Sequence, residues 1–273
     1  MTSSNSQGTR VFFEAENPSA EVFPLATGTV GIFSCVGPDK ATPNEDAAAI
    51  IPYGPNGAVL VVADGLGGSP AGEQASRIAV EVLVAVVEEA ARESLLLRDA
   101  IIDAIEEANR EIQEAASGSG TTLAIVEIQG DEVRPYHVGD SMIQVVGQRG
   151  RVKLQTISHS PVGYAVEAGV LDENDAMSHE DRHVVSNVLG SPEMRIELGP
   201  TMRLAARDTL VLATDGLFDN LQTDEITEYV RKGKLSNVVD RMSSICRQRM
   251  LQPSAGDPSK PDDLTFVVFR RTG

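Results

Sequence analysis

Two apolar runs of this chain end on the same pair of residues. "AVLVVADGLGG" (residues 58–68) and "LVLATDGLFDN" (residues 210–220) each deliver an Asp-Gly step where a strand would leave the core. A run of Val, Leu and Ala without polar alternation reads as a strand covered on both faces, so the carboxylate that follows it stands at the rim of a sheet. The second run places Asp219 one helical turn after Asp215. Such a chain has to cover its sheets on both sides and still leave one end open to several acids.

The remaining elements can be read around these runs. Residues 70–92 and 96–115 carry helix formers, with Pro70 near the first start and Leu97, Ile101, Ile105, Ala108 and Ile112 forming an apolar face on the second. "TRVFFEA" and "GTVGIFSCVG" read as strands, "GPDKATPNEDA" as a loop, and "AAAIIPY" with "AVLVVADG" as a hairpin across "GPNG". "SGSG" ends the second helix; "TTLAIVEIQ", "EVRPYHVGDSMIQVV" and "RVKLQT" then form a meander. A short helix near 162–168 and the acidic "LDENDAMSHED" belong to a less regular segment from His159 to Pro192, long enough to form a recognition element over a site. "TMRLAARDTLVLATDG" reads as another hairpin, followed by helices near 223–232 and 235–250 and a final strand "LTFVVFR". Strands at both ends and helix pairs in two separate places predict an α+β chain with two facing sheets and helices outside each. Aromatic residues are only 4% and tryptophan is absent, so Val, Ile, Leu and Ala must fill that core.

The formal charge is −17, from 40 acidic and 23 Lys or Arg residues, which argues against a nucleic-acid surface. The start, "MTSSNSQGTR", has no signal-peptide core, and no apolar stretch reaches bilayer length. Cys35 and Cys246 lie far apart and read as reduced thiols; a cytoplasmic chain is expected.

Strand ends carry most of the notable acids: Asp46 in "NEDAAAI", Asp64, Asp140 in "YHVGDSMIQVV", Asp215 with Asp219, and Asp262 with Asp263 in "KPDDLTFVVF". Asp beside Gly is also a common turn former, but five such places make convergence the better reading. Like charges at about 4 Å repel by roughly 4 kcal/mol at an effective dielectric near 20, so converging carboxylates either protonate or bind cations. Oxygen-only ligands suit Mg²⁺ or Mn²⁺. His179 and His183, four apart in the acidic loop, read as a solvated pair rather than a zinc site. Gly65 can bring a backbone carbonyl close to a cation, and Gly67 with Gly68 permits a tight turn into the next helix.

The ordered set "NEDA", "ADGLGG", "GSGTTLAIV", "HVGDSM", "LATDGLFDNL", "KPDDLTFVVF" resembles the metal-dependent protein serine/threonine phosphatases of type 2C, the PPM family, particularly its bacterial members, from about residue 30 to residue 270. The resemblance implies a four-layer αββα sandwich with two mostly antiparallel sheets and a two-metal centre, Mn²⁺ or Mg²⁺, at one end. It assigns Asp64 as the bridging ligand, the Gly65 carbonyl to the second ion, Asp215 and Asp262 to the first, Asp46 to metal-bound water, and Asp140 with Asp219 to a third, weaker site. Asp263 stands where the family has asparagine, Leu66 where some members have histidine, and Met142 where arginine is usual. The family's phosphate-binding arginine is replaced by Lys40, which carries charge without a bidentate fork. Residues 28–273 are expected to form one catalytic domain behind a leader, 1–27, that adds an edge strand. The implied activity is hydrolysis of phosphoserine and phosphothreonine in substrates of serine/threonine kinases, by a water or hydroxide bridging two metals, in a monomer without membrane or nucleic-acid partners. The alternative is a catalytically weak, phosphoprotein-binding regulatory module of the same fold.

Overall fold

The computed structural model describes residues 8–16, 19–66, 71–115, 118–177 and 179–272. The turn expected at Gly67 and Gly68 and the helix start at Pro70 lie outside these residues. The chain runs β1 (Arg10–Phe13), β2 (Glu21–Leu25), β3 (Gly28–Cys35), β4 (Asp46–Tyr53), β5 (Gly57–Leu66), α1 (Ala71–Glu93), α2 (Leu97–Glu114), β6 (Gly120–Thr121), β7 (Leu123–Gln129), β8 (Glu132–Val138), β9 (Met142–Val146) and β10 (Val152–Gln155). It continues through α3 (Pro161–Glu167), α4 (Glu173–Ala176), β11 (Glu197–Leu198), β12 (Met202–Arg203), β13 (Thr209–Ala213), α5 (Asp215–Phe218), α6 (Thr223–Val230), α7 (Leu235–Leu251) and β14 (Leu264–Arg271).

Two antiparallel sheets result. One has the order β1-β4-β5-β7-β8-β11, with β12 also on β8 and β6 on β5; the other has the order β10-β9-β13-β14-β3-β2. Period-two alternation sorts each strand's side chains between two apolar layers. Ala48, Ile50, Leu60, Val62, Ala124 and Val126 meet Val30, Ile32, Ile143, Leu212 and Val267 between the sheets. Their neighbours Ala49, Val61 and Ile125 point outward against Leu83, Ile101 and Ile105 of α1 and α2. On the opposite side, Phe33, Val211 and Phe266 pack under Ile226, Val239 and Met242 of α6 and α7. The four layers are therefore helix pair, sheet, sheet, helix pair. Each fully buried Val, Leu or Ile contributes on the order of 1.5–3 kcal/mol, so an aliphatic core suffices without tryptophan. No helix among the described residues is long and apolar enough to cross a membrane.

Three local expectations are corrected. "EVRPYHVGDSMIQVV" is not one strand: β8 belongs to the first sheet and β9 to the second, and the chain crosses between them at Gly139. Gly139 has φ +101°, and a Cβ there would lie 2.7 Å from Cβ of Thr122, so only glycine permits this crossing without strain. "TMRLAARDTLVLATDG" is not a hairpin, because β12 pairs with β8 whereas β13 lies between β9 and β14. The stretch before residue 27 supplies β2 as well as β1, and each occupies the edge of a different sheet.

Candidate metal centre

The alternation that fills the space between the sheets with Val and Leu changes chemistry at one end. Continuing the inward-facing positions by two residues leads from Leu212 to Thr214, from Val267 to Thr265, from Ile32 to Ser34, from Ala124 to Thr122 and from Ile143 to Ser141. These hydroxyls close on one another: Ser34 Oγ lies 2.7 Å from Thr265 Oγ1 and Thr122 Oγ1 lies 2.6 Å from Ser141 Oγ. Above this layer come the acids.

Asp46 opens β4 and Asp64 nearly closes β5, and the two are register partners across the antiparallel ladder. Asp140 follows Gly139 at the crossing between sheets, Asp215 begins α5 directly after β13, and Asp219 follows one turn later, its N–H donating to the Asp215 carbonyl at 2.7 Å. Asp262 precedes β14. The structure thus brings Asp46, Asp64, Asp140, Asp215, Asp219 and Asp262 to one end of the sandwich. They are close enough to act on one another electrostatically. Burial, then the Asp215 charge, raises the carboxyls of Asp64, Asp140, Asp219 and Asp262, with Asp140 pushed up to about 7 and Asp219 and Asp262 to about 6. Asp46, 2% exposed, is held well above its ordinary range by burial and by Asp263 and Asp262, against a 2.9 Å hydrogen bond donated by Thr214 Oγ1.

Gly65 lies where a Cβ would sit 2.1 Å from the Gly72 carbonyl oxygen, so the start of α1 approaches the end of β5 over bare backbone. Lys40 is placed differently from a free anion contact. Its ammonium donates to Glu45 Oε2 and Asp263 Oδ2, each at 2.6 Å. Asp263 also accepts the N–H groups of Gly37 and Glu45, at 2.8 and 2.7 Å, and so fixes the loop that leads into Asp46.

Sequence reasoning missed Lys260. Its ammonium hydrogen-bonds Asp215 Oδ2 and forms ion pairs with Asp219 Oδ2 at 2.9 Å and Asp262 Oδ2 at 3.2 Å. Burial alone would lower its pKa; the carboxylates of Asp215, Asp219 and Asp262 outweigh that and raise it. The only signal in the sequence was a lysine two residues before Asp262.

A divalent ion fits this donor set. The ligand atoms are carboxylate and carbonyl oxygens, and Asp140 Oδ1 is buried with no hydrogen-bond partner, a costly arrangement unless a cation takes the lone pair. A second grouping, His137, His159 and Glu197, has ring nitrogens and a carboxylate oxygen within 4.8 Å of one another. Within it, His159 is not disposed to ligate. The Gly139 N–H can only donate, so His159 Nδ1 accepts it at 3.0 Å, and Nε2 carries the proton that faces Glu197 at 3.0 Å. A ligating imidazole normally donates from its other nitrogen, whereas here that nitrogen accepts. His179 accepts the Asp181 N–H, and His183 is exposed. Burial pushes the Cys35 thiol up to about 11 and raises Cys246 as well, which leaves both thiols protonated and unreactive.

A cleft of about 760 Å³ lies over the acids, with Asp140, Asp215 and Asp219 on its floor and Val162, Met177 and Arg182 on the wall formed by the irregular segment. Ser160 caps α3 by accepting the Gly163 N–H at 2.9 Å and anchors the start of that wall. Arg182 spans the wall, donating to the carbonyls of Met177 and, at 3.3 Å, Ser259.

Residues 39–254 match the sequence pattern of the family described as Protein phosphatase 2C. The chain is 30% identical over 211 residues to the serine/threonine phosphatase stp of Listeria monocytogenes, covering 72% of this chain and 81% of that protein. It is 32% identical over 180 residues to protein phosphatase PhpP of Streptococcus pneumoniae, covering 63% and 72%. Among solved structures, the S. agalactiae serine/threonine phosphatase superposes with a TM-score of 0.75 at 28% identity, over 88% of this chain and 98% of that one. The Mycobacterium tuberculosis phosphatase PstP/Ppp does so with a TM-score of 0.71 at 26% identity, over 89% and 98%.

Proposed function

The chain belongs to the protein phosphatase 2C family and is a metal-dependent serine/threonine phosphatase, and on that premise we propose that it hydrolyses protein phosphoserine and phosphothreonine by a water or hydroxide bridging two divalent cations. Asp64, Asp215, Asp262 and the Gly65 carbonyl would hold those ions, Mn²⁺ or Mg²⁺; Asp46 would orient water, and Asp140 with Asp219 would take a third ion. Bound there, the ions supply an acidified water and neutralise charge on the phosphoryl oxygens.

What the chain contributes is placement. Thr214 fixes the Asp46 carboxylate from below, and the Asp46–Asp64 register sets the spacing of two acids on rigid strands rather than on loops. Lys40 uses two of its three N–H donors on Glu45 and Asp263; the third is the proposed contact to the substrate phosphate. The acidic wall of the cleft, with Glu167 and Glu173, would disfavour strongly acidic peptides. Residues 28–273 are taken to act as one catalytic domain, in a monomeric protein.

One observation carries this reading: six aspartates from five segments gather at one end of the sandwich, three of them lining the cleft, and a buried oxygen of Asp140 is left for a cation. The experiment is phosphate release from a phosphothreonine peptide by chelator-treated protein, with and without Mn²⁺ or Mg²⁺. Metal-restored release is expected. Metal binding by folded protein without turnover would instead favour a regulatory phosphoprotein-binding module.

A further inference from the structure

The cluster of acids contains a cation of the chain's own. Lys260 places its ammonium against Asp215, Asp219 and Asp262, three of the groups assigned to metal ions, and engages Oδ2 of each. An ammonium and a divalent ion therefore claim the same oxygens.

The surrounding backbone fixes this arrangement. Asn220 is fully buried and clamps the lysine's own peptide groups: Lys260 N–H donates to Asn220 Oδ1 at 3.0 Å, and Asn220 Nδ2 donates to the Lys260 carbonyl at 2.8 Å. The same Nδ2 reaches the Gly216 carbonyl at 3.0 Å, which ties the lysine's loop to α5, the element that carries Asp215. Ser259 is held from the other side, its hydroxyl donating to the Arg249 carbonyl at 2.9 Å. The backbone is fixed while the four-carbon stem keeps its rotamers, so the charge can leave without moving the loop.

We propose that Lys260 is a resident counter-cation: it holds the carboxylates together in the metal-free protein, must leave Asp215, Asp219 and Asp262 when a divalent ion binds them, and so sets the metal concentration at which the centre loads. One ammonium relieves only part of the repulsion among six carboxylates, which is why the site still draws divalent ions. This inference rests on the acids being a metal centre.

Titration calorimetry with Mn²⁺ on chelator-stripped wild type and Lys260→Met tests it. Removing a competing charge is expected to tighten Mn²⁺ binding about tenfold, the size of an ordinary coupling between two ligands of one site, while the metal-free variant melts at lower temperature and the difference closes at saturating Mn²⁺. In the wild type, amine acetylation of Lys260, followed by mass spectrometry, is expected to rise severalfold when Mn²⁺ is added; this readout decides the matter if the variant does not fold. Equal or weaker Mn²⁺ affinity in Lys260→Met, or acetylation that Mn²⁺ leaves unchanged, overturns the inference alone. Wild type that shows no saturable Mn²⁺ binding overturns the metal centre itself.

Discussion

Asp46 and Asp64 stand directly opposite each other in the β4–β5 ladder, so two like charges occupy the closest cross-strand position a sheet offers. Burial and the surrounding acids raise both carboxyls, and among the described residues neither forms an ion pair with a Lys or Arg. Asp64→Asn should therefore lower metal-dependent phosphopeptide hydrolysis on the order of 10³-fold or more. The metal-free variant should melt no lower than wild type, because a repelled carboxylate has become a neutral amide. Kinetics with Mn²⁺ and thermal melts with chelator check the two halves; a metal-free variant that melts well below wild type would contradict the assigned repulsion.

Thr214 supplies Asp46 with a hydrogen bond from beneath and lies fully buried. Thr214→Val keeps the volume and removes the donor, leaving a buried carboxylate short of a partner. A loss of about 1–3 kcal/mol in chemical denaturation is expected, with reduced activity.

The acids predict an unusual pH dependence. Asp140 is pushed up to about 7 and Asp219 and Asp262 to about 6, by burial first and the Asp215 charge second. Unfolded aspartates titrate near ~4, so between roughly pH 4 and 7 the folded metal-free chain binds more protons than the unfolded one. Its stability is then highest at the acid end of this window and falls as the pH rises through 6 to 7. Chelated melts should show that slope, Asp140→Asn should flatten it, and saturating Mg²⁺ should remove it. A chelated melting temperature that climbs through the window would count against it.

His159 accepts the Gly139 N–H and an Asn187 Nδ2 hydrogen bond at 2.9 Å, one residue before Asp140. His159→Phe leaves the peptide at the sheet crossing without its acceptor, at a cost of about 1–3 kcal/mol, and should raise the Mn²⁺ needed for half-maximal activity. Stoichiometric Zn²⁺ should leave the imidazole nitrogen resonances of His137 and His159 in place.

Lys40→Met should raise KM for a phosphopeptide about tenfold with a smaller change in kcat, the effect of losing one charge-assisted contact. Lys40→Arg should recover part of it. Unchanged KM in Lys40→Met would confine this lysine to its pairing with Glu45 and Asp263.

Much of the architecture was legible because it is local. The apolar face of α2 at Leu97, Ile101, Ile105, Ala108 and Ile112 is buried as its spacing requires; of the two Asp-Gly steps, Asp215-Gly216 follows the end of β13, while Asp64-Gly65 lies in the last three residues of β5. Legible too was the type of donor, since strand ends rich in aspartate and poor in histidine and cysteine favour hard cations. What only the tertiary structure decided were relationships between distant segments. Gly139 sends β8 and β9 into different sheets, β12 turns to β8 instead of its neighbour β13, and Asn220 holds Lys260 among the carboxylates. Each depends on a partner far along the chain, whose position no local period encodes. Periodicity determines which face a residue presents, while long-range pairing determines which other residue it meets.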